Sequence, residues 1–285
     1  MYESFFGLRE LPFRMTPDVR YFFASAKHQD ALNHMVYAIQ ERRGFVVITG
    51  EIGSGKTTLS RVLLSKLDRL TKTAVIRNTY LTAKDLLALT LDELEVAYTP
   101  GTKTQLLKQL NHFLVDQLKT DGNVVLLVDE AQNLSPKLLE EIRMLSNLET
   151  DREKLIQIVL MGQPELRSKL WLHPLAQFRQ RVTVHYHLSP LSREETRGYI
   201  EHRLHIAGAN GAPVIDAAAH APIYRYTQGV PRLINALCDR ALLTGYVNES
   251  KTISAAMIEE AARELPSLGH DELADSATTT KGATA

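Results

Sequence analysis

Apolar residues recur along this chain in two rhythms. In residues 28–41, Leu32, Met35, Val36 and Ile39 fall at the spacing of one helix face. Residues 45–48 form a short unbroken apolar run, followed by a glycine-rich turn and a second helical stretch to about residue 67. Residues 73–77 predict another strand, and Leu106, Leu107, Leu110, Phe113, Leu114 and Leu118 mark one face of a further helix ending before Gly122. Residues 124–128 are five consecutive apolar residues, the pattern of a strand covered on both faces. Ser135 and Pro136 then supply an N-cap and a first helical position. Residues 156–161 and 182–187 read as two more strands. Strands alternating with helices imply an α/β fold with a parallel sheet flanked by helices. Beyond Pro190 the rhythm changes, and residues 194–206, 216–226, 232–246 and 253–264 are helical with no convincing strand between them.

These patterns divide the chain into four parts. Residues 1–27 are aromatic and proline-punctuated, with Phe5, Phe6, Pro12, Phe13 and Pro17, too apolar for a solvated tail and expected to pack on the core. Residues 28–190 form the α/β domain, residues 191–265 an all-helical lid, and residues 266–285, short of large apolar side chains, a flexible tail. Composition narrows the class. With 44% hydrophobic residues, the chain of 285 residues has material for a substantial core, which excludes wholesale disorder. A single cysteine excludes an internal disulfide framework and a cysteine-rich zinc module. No apolar run reaches the ~20 residues that span a bilayer, and no basic-then-apolar export signal opens the chain, so a cytoplasmic protein without membrane insertion is expected. Thirty-three basic against 33 acidic side chains argue against coating nucleic acid by bulk charge, leaving a local basic strip open.

The sharpest chemical signal is Gly50-Glu51-Ile52-Gly53-Ser54-Gly55-Lys56-Thr57, followed by Thr58, a complete P-loop pattern. Its glycines let the backbone fold into a nest of inward-facing N–H groups, and the helix that follows offers its positive end to an anion. Lys56 brings a mobile charge to the outer phosphates of ATP, and the Thr57 hydroxyl is a ligand for Mg²⁺. The apolar strand leading in and the helix leading out are the context the motif requires.

Asp129 and Glu130 close the strand of residues 124–128. A carboxylate at a parallel strand's C-terminal end sits where such sheets bind ligands. Asp129 suits the metal, and Glu130 suits polarising a water for attack on the γ-phosphate, which favours hydrolysis over transfer to a substrate hydroxyl. If the strand of residues 156–161 lies between the lysine and aspartate strands, Gln163 falls near the γ-phosphate; otherwise it is an ordinary loop glutamine. Arg179 and Arg181 precede the last strand and serve their own domain, act as an arginine finger on a neighbouring subunit, or form a plain basic surface pair. Gly229, Pro231 and Arg232 open a helix from which Arg232 could reach the phosphates. His185, His187, His202 and His205 lack the further ligands a metal needs, Cys238 reads as core filler, and Arg42-Arg43 as a cap on a helix C-terminus.

Together, Asp129-Glu130, the Gln163 loop, the Arg181 region and Gly229–Arg232 resemble the AAA+ ATPases. More narrowly, the chain is similar to the ExeA (general secretion pathway protein A) family. The matching segments are Phe6-Gly7-Leu8 with Pro12-Phe13 and Pro17-Asp18, Gly50-Glu51, Asp129-Glu130-Ala131-Gln132, Gly162-Gln163-Pro164-Glu165-Leu166, and Gly229 with Arg232-Leu233-Ile234-Asn235. The resemblance implies a five-stranded ATPase core with a helical lid, Mg-ATP between them, assembly into homo-oligomeric rings or filaments, and Arg181 as the better finger candidate with Arg179 second. Envelope-spanning members continue into a membrane segment and a peptidoglycan-binding domain, so a stand-alone ATPase is the expectation here. Relatives of that kind accompany secretion, pilus or exopolysaccharide systems, while others resemble transposition ATPases of the TniB and TnsC type, which bind duplex DNA.

Overall fold

A computed structural model describes residues 1–209 and 214–265. The expected tail, residues 266–285, lies outside the described residues. The chain divides into two compact units. One comprises residues 26–52 and 56–189; the other comprises, among the described residues, 1–25, 53–55, 190–209 and 214–265.

The first unit is built on a sheet of five parallel strands, β1 (Phe45–Gly50), β2 (Thr71–Ile76), β3 (Asn123–Val128), β4 (Gln157–Gly162) and β5 (Val182–Leu188), in the order β2-β3-β4-β1-β5. Every residue of β1 and β4 is buried, as unbroken apolar runs demand of central strands. The edge strands β2 and β5 instead alternate in exposure. Because β4 lies between β1 and β3, the loop after β4 emerges between the loops that follow the lysine and aspartate strands. Helices Lys103–Lys119 and Pro136–Leu145 cover the sheet with buried leucines that join Val47, Leu126, Ile158 and Leu160 in one core, and helix Lys56–Lys66 buries Leu59, Val62 and Leu63.

Helices Ala83–Glu93, Pro164–Leu170 and the short Ala176–Arg179 of this unit were not read from the sequence. Ala83–Glu93 begins with a capping box, in which the Thr82 hydroxyl accepts from Asp85 N and the Asp85 carboxylate accepts from Thr82 N. Pro164–Leu170 starts on a proline directly after Gln163. Arg42 and Arg43 close the end of helix Ala26–Gln40, as expected of a C-terminal cap, their N–H groups donating to Ile39 O (3.2 Å) and Ala38 O (2.9 Å). Arg42 is left-handed (φ 49°), and its guanidinium donates to the Gly122 carbonyl (3.0 Å) and faces Glu153 (3.3 Å).

The second unit carries helices Arg193–Ile206, His220–Thr227, Pro231–Val247 and Ala255–Arg263, with a parallel bridge between Ile215 and Ile253. Its core of Ile200, Ile223, Ile234, Leu237, Leu242 and Ile258 also takes in Tyr2, Phe6, Leu8, Phe13 and Tyr21. The N-terminal arm therefore packs within the core of the helical unit. The reason is a buried cation. Arg203 is 6% exposed, donates to the Pro12 carbonyl (2.6 Å) and the Tyr199 hydroxyl (2.8 Å), and stacks on Tyr21 (4.7 Å). Arm carbonyls and an arm ring thus complete the solvation of a charge to which the helices themselves offer only Tyr199 among the described contacts. Gly229 holds φ +75°, and a Cβ there would stand 1.9 Å from the Leu191 carbonyl oxygen, so only glycine fits. Cys238 is fully buried among the leucines of this core.

Candidate active site

The P-loop leaves β1 at Gly50 and enters the helix at Lys56. Gly53 and Gly55 both hold positive φ, 79° and 98°, the conformation a phosphate nest needs and side chains resist. Lys56 is 6% exposed, and its ammonium donates to the carbonyls of Gly50 (2.7 Å) and Glu51 (2.9 Å). Burial pushes the ammonium below the ordinary lysine range, while Glu130, Asp129, Glu51 and Glu165 pull it back. Its flexible stem lets the charge exchange two carbonyls for phosphate oxygens.

Thr57 and Asp129 meet across the sheet's C-terminal edge, with the Thr57 hydroxyl 3.1 Å from Asp129 Oδ2. Asp129 is 6% exposed, and its other oxygen accepts from Glu130 N (3.0 Å). A hydroxyl and a carboxylate oxygen so paired are hard oxygen donors, the set that suits Mg²⁺. Glu130 holds a left-handed φ of 53° just after β3. Its Oε2 accepts from Gln132 Nε2 at 2.6 Å and from Gln163 Nε2 at 3.4 Å. Gln163 therefore stands beside Glu130, at the mouth of the loop after β4. Gln132 is a site residue that individual-residue reasoning passed over, although it stood within the Asp129–Gln132 segment. Its signal, a polar amide two positions after the acid pair, takes on meaning only once the β4 loop is in place.

The arginines separate by what they touch. Arg179 donates to the Trp171 carbonyl (2.8 Å) and stacks on the exposed Trp171 ring (5.5 Å). The Arg181 guanidinium makes no hydrogen bond or ion pair among the described residues, and it lies near enough to Glu149 to help lower that carboxyl's pKa. Thr58 is half-buried in the first turn of the P-loop helix. Ile52 is 60% exposed, and Ser54 is buried. Within its own unit, Arg232 donates its backbone N–H to Gly53 O (3.2 Å), and a Cβ on Gly53 would stand 2.5 Å from Arg232 Cβ.

A phosphate nest, a buried lysine and an acid pair at the C-terminal ends of two parallel strands flanking β4 define a P-loop ATPase of the AAA+ class. Residues 39–170 match the family model described as an AAA domain. The chain is also 44% identical over 93% of its length to general secretion pathway protein A of Aeromonas hydrophila, and it spans about half (48%) of that relative. The resemblance to the ExeA group thus runs through nearly the whole chain. Among solved structures, Cdc6p of Pyrobaculum aerophilum superposes with a TM-score of 0.67 at 18% identity, covering 92% of this chain and 70% of that one. The RuvB Holliday junction branch migration motor of Thermotoga maritima superposes at 0.57 and 19% identity, covering 83% and 69%. At such identities these two speak for the fold alone.

Proposed function

We propose that this ATPase works as a homo-oligomer, holding Mg-ATP on its P-loop and hydrolysing it with Glu130 as general base, in the service of a secretion, pilus or exopolysaccharide assembly system. The observation that carries the reading is the meeting of Thr57, Asp129, Glu130 and Gln163 at the ends of β1, β3 and β4. In this scheme the nest amides and Lys56 bind the β- and γ-phosphates, with Thr58 and Arg232 as further contacts. Glu130 takes a proton from a water as its oxygen attacks the γ-phosphorus, and the bond to the ADP oxygen breaks, giving ADP and phosphate. Gln163 orients that water or the γ-phosphate. Thr57 and Asp129 would hold Mg²⁺, which offsets phosphate charge when bound. Arg181 is the candidate for contact with a neighbouring copy's nucleotide, because Arg179 is committed to Trp171. The secretion assignment rests on the Aeromonas relative, and a location at the inner membrane would come through partners. Among the described residues, no helix is long and apolar enough to cross a membrane.

Glu130→Gln tests the chemistry. The expected result is ATP retention with phosphate release lost; normal release would remove Glu130 from the role.

A second reading, ATP-dependent binding of duplex DNA, is favoured by one observation. Beyond β2, Tyr80 is 83% exposed between the exposed cations Arg77 and Lys84, neither of which makes an ion pair among the described residues. A gel shift with and without ATP, repeated at raised salt, separates the readings. DNA retained only with ATP and released by salt would support the second, and no retention would remove it.

A further inference from the structure

The Glu130 carboxylate is held, and the group that holds it is Gln132. The side-chain amide of Gln132 is used at both ends. Its Nε2 donates to Glu130 Oε2 at 2.6 Å, and its Oε1 accepts from the backbone N–H of Gln163 at 3.0 Å. Three further features fix the amide where it stands. The Gln132 carbonyl accepts from Lys169, whose ammonium also donates to Leu134 O (2.8 Å), so the short turn after β3 is pinned to the helix after β4. Gly162 leaves the space the amide occupies, since a Cβ there would stand 2.9 Å from Gln132 Oε1. Glu130 itself sits at φ 53°, a backbone state that costs free energy for a non-glycine residue and persists where surroundings over-determine it.

We infer that Gln132 is the positioning residue of the hydrolytic site, coupling the Gln163 loop to Glu130. An amide that must donate to the acid and accept from the loop has one allowed orientation, so moving the loop moves the donor. With Oε2 engaged, Oε1 makes no hydrogen bond among the described residues, and in this account it is the oxygen that takes the proton of the attacking water. Gln132 touches neither nucleotide nor water in this account, and it acts through Glu130.

The inference rests on Glu130 being the base, so the experiment separates the two. Steady-state phosphate release and ATP affinity are measured on the full chain for Glu130→Gln, Gln132→Met, Gly162→Ala and the double variant Glu130→Gln with Gln132→Met. Gln132→Met keeps length and loses both hydrogen bonds. Its kcat should fall about 10- to 100-fold, the scale of an ångström of misplacement, with KM and ATP affinity within about twofold of wild type. Gly162→Ala, which crowds the amide without removing it, should lower kcat in the same way. In the Glu130→Gln background the second change should have no further effect. An unchanged or raised kcat for Gln132→Met beside an inactive Glu130→Gln overturns the inference and leaves the base intact. So does a raised KM at unchanged kcat, or an undiminished loss in the double variant. Full activity in Glu130→Gln instead overturns both.

Discussion

Replacing Lys56 by methionine isolates the charge at the heart of the site. The stem stays buried, while the ammonium that bridges the Gly50 and Glu51 carbonyls disappears. Without nucleotide, two effects oppose each other: the carbonyls lose a donor, and a charge no longer has to be buried. The unfolding midpoint of the free protein should therefore move little. With nucleotide, the variant lacks a charge-assisted bond of ~1.5–3 kcal/mol, which at ~1.4 kcal/mol per decade weakens ATP binding about 10- to 100-fold. Ligand-linked stability magnifies this into a clear readout. At ATP equal to 100 times the wild-type dissociation constant, wild type gains about 2.7 kcal/mol against urea, and the variant should gain only ~0.4–1.4 kcal/mol. Urea titrations with and without Mg-ATP at that one concentration measure the difference. A variant that still gains the full increment would refute the assignment of Lys56 to the phosphates.

Three other outcomes are expected. Because burial lowers the Lys56 pKa, the unfolded chain holds more protons in the window between the folded value and the ordinary lysine value. In that alkaline window the free protein's stability should rise with pH while ATP affinity falls, as paired urea and binding titrations would show. Arg181→Ala should leave ATP binding intact but cut assembly-dependent hydrolysis, by up to ~10³-fold, and mixing it with Lys56→Met should restore activity; Arg179→Ala should instead perturb the Trp171 fluorescence. Arg203→Met should cost about 1.5–3 kcal/mol in urea unfolding and speed protease cleavage within residues 1–25, since Pro12 and Tyr21 lose the cation that holds them.

The parts of this molecule written locally were the readable ones. β1, β3 and β4 announce themselves because a strand buried on both faces has no polar side to confuse its pattern, and the P-loop because its glycines, lysine and threonine are contiguous. β4 also lies between β1 and β3, the strand order on which the expectation for Gln163 depended. What escaped was relational. The arm's aromatic residues declare that something must cover them, but not which surface does, and the answer depends on a buried arginine about 190 positions away. Helix Ala83–Glu93 escaped although Thr82 and Asp85 carry a capping-box signature. Gln132 stayed silent because its meaning comes from a backbone N–H contributed by another strand's loop.

The chain's one thiol, Cys238, lies at the centre of the helical core, and burial drives its pKa far above the thiol range. A protonated sulfur sealed from solvent reacts with neither maleimide nor peroxide while the protein stays folded. The molecule thus comes with a silent labelling background. A cysteine placed on any exposed position can carry a fluorophore or spin probe with no need to replace the native one. The rate at which Cys238 itself becomes reactive then serves as a built-in clock for opening of the helical unit.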